Sequence, residues 1–242
     1  MTPEITVARI DEIYMNASTR PCRVTTGSGE TWVLKLAGAG PGPRGLLIEL
    51  LALRFAAAIG APVPQAKPLW LPHGFPWTIG TDEFDEMLQR SFGWNLGIGF
   101  VADARPMTAD AVLAEPPEVL AAIAAADRFA FNVDRTRGNA NMLAGADGRA
   151  VAIDYDACLF LGRALAGRVP AAFDLPPGHL LEALALPEAG RAFDPALCET
   201  ITGDVPAEWL PEGASREGLA AALAGYVGGW NDALAKSAPE VT

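Results

Sequence analysis

The stretch from 130 to 156, AFNVDRTRGNANMLAGADGRAVAIDYD, concentrates the residues whose types and spacing can do chemistry. Asp134 follows a helix-like run, Asn139 comes five residues later, and Asp154 ends an apolar strand-like piece after a short turn. Hard cations such as Mg²⁺ take oxygen ligands, and an amide and a carboxylate on either side of a hairpin can converge on one ion. Asp134 is then free to orient a nucleophile, which is the division of labour used in phosphoryl transfer. Such chemistry rests on positioning and charge neutralisation more than on covalent help from the protein. Asp and Asn are also common turn formers, so a capped loop at 134–139 and a solvated strand end at Asp154 and Asp156 are the competing readings.

A second set lies upstream. Lys35 sits among Trp32, Val33, Leu34 and Leu36, so its ammonium needs an anion, and Glu49 among the leucines of the following helix can supply one. A strand Lys paired with a helix Glu is an arrangement that positions ATP phosphates. The alternatives are an edge-strand Lys that discourages aggregation and, for Glu49, a surface pair with Arg44 or Arg54.

The elements that would position these residues are legible in outline. ITVARI (5–10), CRVTT (22–26) and ETWVLKL (30–36) read as strands, with GSGE as a hairpin turn. AGAGPGPRG reads as a mobile loop. Leu46 to Ile59 reads as a helix ended by Gly60 and Pro62, and AKPLWL (66–71) and WNLGIGFV (94–101) as further strands. Residues 72–93 resist assignment. PEVLAAIAAADRFAF is an alanine-rich helix, NML and AVAID are short strands, segments near 177–186 and 194–202 are helical, and SREGLAAALAGYVGGWNDALAK is a closing helix. The expectation is an α+β chain, with a β-rich half to about residue 102 and a mostly helical half over about 103–242.

Composition narrows the classes. The 242 residues are 50% apolar and 19% charged, with 18 Lys+Arg against 29 Asp+Glu for a net charge of -11, so neither a disordered chain nor a phosphate-backbone binder is expected. Three scattered cysteines suit neither a disulfide framework nor a thiolate metal site. His73 and His179, the two histidines, lack nucleophile or zinc spacing and read as loop residues. Trp70, Trp77 and Trp94 read as core residues, or as the lining of a cleft. The start carries acids where a secretory signal carries a basic end, and the most apolar helix is too short to span a bilayer. A cytoplasmic protein without a membrane span is expected.

STRP (18–21), WVLKL (32–36), RGLLIELLALRFAAAIGAPVP (44–64), NVDRTRGNANML (132–143) and VAIDYD (151–156) together resemble the HipA-like kinases, in particular the short bacterial HipA-like kinase domains. More distantly they resemble the phosphatidylinositol 3/4-kinase-type fold. The resemblance covers most of 15–156 in order. It implies one two-lobed, protein-kinase-like domain over 1–242, with ATP and Mg²⁺ in the cleft and adenine near the connector at 101–106. It further implies Asp134 as catalytic base, Asn139 and Asp154 as metal ligands, and Lys35, partnered by Glu49, as the phosphate-contacting Lys. Ser18, Thr19 and Arg20 match the small phosphate-contacting loop, and Asn141 is a second-choice metal or catalytic-loop residue on the cofactor-binding side. The implied activity is transfer of the γ-phosphate to a hydroxyl acceptor, such as a protein Ser or Thr. A pseudokinase that only binds nucleotide is one alternative and a Mg²⁺-dependent phosphohydrolase another. Thr136 stands where many relatives have His, and the G-x-G-x-x-G, His-Arg-Asp, D-F-G and P-loop patterns are absent. The subdomains through which longer HipA toxins meet antitoxin partners and DNA are expected to be missing.

Overall fold

A computed structural model describes residues 5–76, 82–185 and 190–237. Trp77 and the end of the segment expected to be helical at 177–186 lie outside these. Five antiparallel strands form the main sheet in the order β1-β2-β3-β5-β4: β1 (Val7–Ile13), β2 (Cys22–Thr26), β3 (Thr31–Lys35), β4 (Ala66–Leu71) and β5 (Gly93–Gly99). The period-2 alternation of strands sorts β3 between its two faces. Trp32 and Leu34 join a cluster with Val24, Leu69, Leu71 and, from α2 (Asp82–Gln89), Phe84 and Leu88. Val33 and Lys35 face the other way, toward α1 (Pro43–Ile59). Lys35 is therefore on the central strand, which removes the edge-strand reading.

Helix α1 starts with Pro43 in its first turn and stops at Gly60, whose left-handed backbone (φ 97°) donates to the carbonyls of Ala56 and Ala57. It is buried nearly all round, because one side covers the sheet and the other meets α4 (Pro117–Ala130). That places Glu49, 1% exposed, in an apolar stripe with Leu46, Leu50 and Leu53.

Beyond β5, a three-stranded sheet of β6 (Arg105–Pro106), β7 (Met142–Ala144) and β8 (Ala150–Ala152) follows, with α3 (Ala109–Leu113) leading into α4. Helices α5 (Phe160–Leu165), α6 (Leu197–Thr202) and α7 (Arg216–Ser237) complete the helical part. Leu219, Leu223, Tyr226, Val227 and Trp230 of α7 repeat at helical spacing and close on Phe129, Phe160 and Phe173. The Tyr226 hydroxyl donates to the Phe129 carbonyl at 3.0 Å, so burying this phenol leaves no donor idle. One apolar cluster runs from α1 through α4 to α7, which ties the sheet to the helices without a break.

Two local expectations are corrected. Residues 177–185 form turns and irregular backbone, since Pro176 and Pro177 deny the segment regular hydrogen bonding. The loop expected to be mobile at 37–45 is tied down, because α1 already begins at Pro43 and the preceding amides have side-chain partners. Ala37 N–H donates to Asn95 Oδ1 at 2.8 Å and Gly38 N–H to Ser91 Oγ at 2.9 Å. Gly38 is required there: a Cβ would lie 2.5 Å from the Met87 carbonyl oxygen. Trp70 and Trp94 are a cross-strand pair, ring centres 5.2 Å apart, outside the cleft.

Asn95, fully buried, also donates to the carbonyls of Ser91 and Gly93 at 2.7 and 3.0 Å. Asn95→Ala removes the side-chain partner of two buried carbonyls and one part-buried amide and is expected to destabilise the chain by about 2 kcal/mol in urea denaturation, with faster amide exchange at 37–39.

Candidate active site

The Lys35 ammonium lies 2.7 Å from Glu49 Oε1 and 2.7 Å from Asp154 Oδ1, joining strand β3, helix α1 and the residue after β8. Neither Arg44 nor Arg54 competes for Glu49: Arg54 pairs with Asp204 at 2.6 Å and Arg44 is exposed. Burial alone would push the Lys35 proton off, but the carboxylates of Glu49 and Asp154 reverse this and hold the amine protonated well above its ordinary range. Glu49 is pushed up to about 7, first by burial and then by the nearby Asp154 charge, against the pull of Lys35. Its Oε2 is buried too, 2.7 Å from the same ammonium and with no other partner among the described residues.

Asp154 takes a left-handed backbone, φ 62°, which a non-glycine residue adopts at a cost and only where its surroundings hold it. The amide of the preceding Ile153 donates to the Asn141 carbonyl at 3.0 Å. Asn141 is itself left-handed at φ 49°. The hairpin of β7 and β8 thus returns Asp154 to the loop that carries Asp134.

Asp134 Oδ2 accepts from the side-chain amides of Asn139 at 2.7 Å and Asn141 at 3.0 Å, while its backbone N–H donates to Asn132 Oδ1 at 3.1 Å. Among the described residues no donor engages Oδ1. The loop beneath is fastened from inside by Asp127, on the buried face of α4. Asp127 Oδ2 accepts from Arg135 Nε at 2.6 Å, and Oδ1 accepts from Asn132 Nδ2 at 3.0 Å. Arg135 reaches on to the carbonyls of Ala140 and Asn141 at 3.0 and 2.7 Å. Burial raises the Asp127 pKa, but the Arg135 charge and the hydrogen bonds from His179 and Arg135 outweigh it, so the group stays ionised below the usual carboxylate range.

Three carboxylates, Glu49, Asp154 and Asp156, bring one oxygen each within 4.8 Å of one another. Burial, then the charges of Asp154 and, more distantly, Asp134, raise Asp156, a mark of excess negative charge that Lys35 only partly offsets. Three hard oxygen donors with this surplus fit a divalent cation. Asn139, expected as a metal ligand, donates from Nδ2 to Asp134, which engages its nitrogen and not the Oδ1 through which an amide ligates a cation.

Beside Lys35 and Asp154 opens a cavity of about 600 Å³ walled by Val33, Ile98, Leu143 and Ile153 and extending to Val101, Asp103, Ala104 and Pro106. Its volume suits a nucleotide-sized ligand. Thr19 lines it; Ser18 does not, and Arg20 turns to Glu83 of α2 at 2.7 Å. Lys35, Glu49, Asp154 and Thr19 therefore share one cavity, with Asp134 electrostatically coupled to its acidic end through Asp156. Sequence reasoning missed Asp127, Asn132, Arg135 and His179. An ionisable residue within the apolar run AAIAAADRFAF was the available signal for Asp127; His179 had none, being a loop residue as expected but a buried one.

Compared as sequence, the chain matches no protein-family model and no curated protein. Compared as structure, it is similar to the proinflammatory kinase CtkA of Helicobacter pylori, with 12% identity and a TM-score of 0.54 over 98% of each chain. The chain has a kinase-like fold. Among the described residues no helix is long and apolar enough to cross a membrane.

Asp127 and Arg135 are both fully buried, so Asp127→Ala strands a guanidinium and is expected to cost about 3–5 kcal/mol in denaturant unfolding at pH 7. Because the folded-state pKa lies below the unfolded value near 3.8, this contribution is complete above that value and is lost as pH falls through the folded one. The gap between parent and variant should accordingly close on acidification. Separately, millimolar Mn²⁺ or Mg²⁺ is expected to raise the melting temperature of the parent and not of Asp154→Ala, as read by calorimetry.

Proposed function

We propose that the chain is a HipA-like phosphotransferase that uses ATP and Mg²⁺ to phosphorylate a hydroxyl acceptor, a protein Ser or Thr being the acceptor the resemblance favours. The observation that carries this reading is the Lys35 ammonium held between Glu49 and Asp154 at the charged end of a nucleotide-sized cavity. The kinase-like fold supports it.

In this reading each group has a task. Lys35, kept protonated by two carboxylates, offers its charge to the phosphates, and Glu49 keeps the long side chain from swinging away. Val33, Ile98, Leu143 and Ile153 take the base and exclude water from the charged end. Thr19 contributes from the β1–β2 connection, whereas Ser18 and Arg20 would have to turn inward to take part. Asp134 is oriented by Asn139 and Asn141 through Oδ2, leaving Oδ1 to accept the acceptor's proton. Asp154 and Asp156, with Asn139 as the amide donor the resemblance adds, would hold the cation; when bound it neutralises charge on the phosphates.

The test is incubation with labelled ATP and Mg²⁺. Phosphate incorporation or ADP release is expected from the parent and should fall at least about a hundredfold in Asp134→Ala and Asp154→Ala. Equal activity in all three would sink the assignment. Stabilisation by ATP without any ADP release would turn the reading to a nucleotide-binding module.

A further inference from the structure

We infer that His179 is a positioning residue for Asp134, acting through Asp127, and that the irregular segment around it is an integral support of the catalytic loop. Its kinetic consequence rests on the phosphotransferase reading; its structural consequence does not. His179 is buried, 44 residues downstream of Arg135 and far outside every motif that pointed to a site. Its ring is held at both nitrogens. The Leu181 N–H donates to Nδ1 at 3.1 Å, so Nδ1 is the acceptor and the proton sits on Nε2, 3.0 Å from Asp127 Oδ2. The neutral tautomer satisfies both contacts at once.

Asp127 needs that third partner. Its Oδ2 already takes Arg135 Nε and its Oδ1 takes Asn132 Nδ2, with Arg135 Nη2 at a longer 3.4 Å. A fully buried carboxylate is stable only when its lone pairs are engaged. The His179 N–H adds a second bond at Oδ2, opposing any rotation of the carboxylate toward Arg135 alone. What Asp127 holds is specific. Asn132 binds the Asp134 amide, and Arg135 binds the carbonyl of Asn141, whose side chain binds Asp134 Oδ2. Two routes, one through the backbone and one through a side chain, therefore lead from the Asp127 carboxylate to Asp134.

A second tie links the same two segments: the Leu180 N–H donates to the Arg135 carbonyl at 2.8 Å. Residues 171–185 contain no regular helix or strand, so their placement depends on such individual bonds. A structural plug would need only bulk at 179. A positioning role needs the Nε2–H donor, and that difference can be measured.

The experiment compares the full chain with His179→Met, which keeps bulk without the donor, and His179→Gln, whose amide can still donate to Asp127. His179→Met is expected to lower kcat about tenfold while the KM for ATP changes less than about twofold. Amide exchange should quicken at 132–141 but not in strands 22–26 and 31–35. His179→Gln should recover most of kcat and of the protection. Parent-like exchange at 132–141 in a folded His179→Met variant would overturn the inference, as would uniform quickening throughout the chain or a Gln variant no better than Met. If the Met variant does not fold, the Gln variant decides: near-parent kcat and protection support the donor role, a tenfold loss overturns it. A parent without ATP turnover defeats the phosphotransferase reading, and exchange at 132–141 alone then decides whether His179 orders the loop.

Discussion

The Asp127 carboxylate, buried with no solvent contact and surrounded by Arg135, Asn132 and His179, constrains everything around the candidate site. A charge there is tolerable only because donors surround it, and those donors have nowhere else to go. Arg135 is equally buried and lies against the face of Tyr155, its guanidinium carbon 5.2 Å from the ring centre. Removing either ion would leave the other buried without its partner, so the pair holds the loop from 131 to 141 in place. The strained backbones at Phe131, Asn141 and Asp154, all with positive φ, are sustained by that arrangement.

A second, more open ion cluster sits on this foundation. Lys35 bridges Glu49 and Asp154, and thereby connects the sheet, helix α1 and the β7–β8 hairpin at one point. The two clusters differ in charge balance. Around Asp127 the charges cancel, which suits a permanent support. Around Lys35 three carboxylates face one ammonium, leaving an excess of negative charge that a bound cation would relieve. The Asp127 cluster is closed and the acidic one borders the cavity, so the supporting charges are separate from those that face open space.

Much of the local structure was legible in the chain. β2 and β4 lie where their β-branched and apolar runs end, and α1 and α7 where Pro, Gly and apolar spacing mark them. Helix α2 escaped notice because half of DEFDEMLQ is acidic and it shows only Phe84, Met87 and Leu88 to the core. The loop at 37–42 read as mobile because its glycines and proline carry no regular pattern; its order comes from Asn95 and Ser91, more than fifty residues away. Of the site, Lys35, Asp134 and Asp154 stood out as charges at the ends of apolar elements, and Glu49 as a charge among the leucines of a helix. Asp156 was visible only as a neighbour of Asp154, and its membership of the acidic cluster appeared once Glu49 was brought alongside.

The sequence by itself determined the main strands and helices α1, α4 and α7, because hydrophobic periodicity and backbone punctuation act over a few residues. It also supplied the acids, amides and lysine of the candidate site in a recognisable order. Tertiary structure alone decided which ion meets which. Lys35 lies 119 residues from Asp154, Asp127 lies 52 from His179, and Ala37 lies 58 from Asn95. Such pairings are selected by the cost of burying an unpartnered charge or amide, a quantity that exists only after the chain has closed around it.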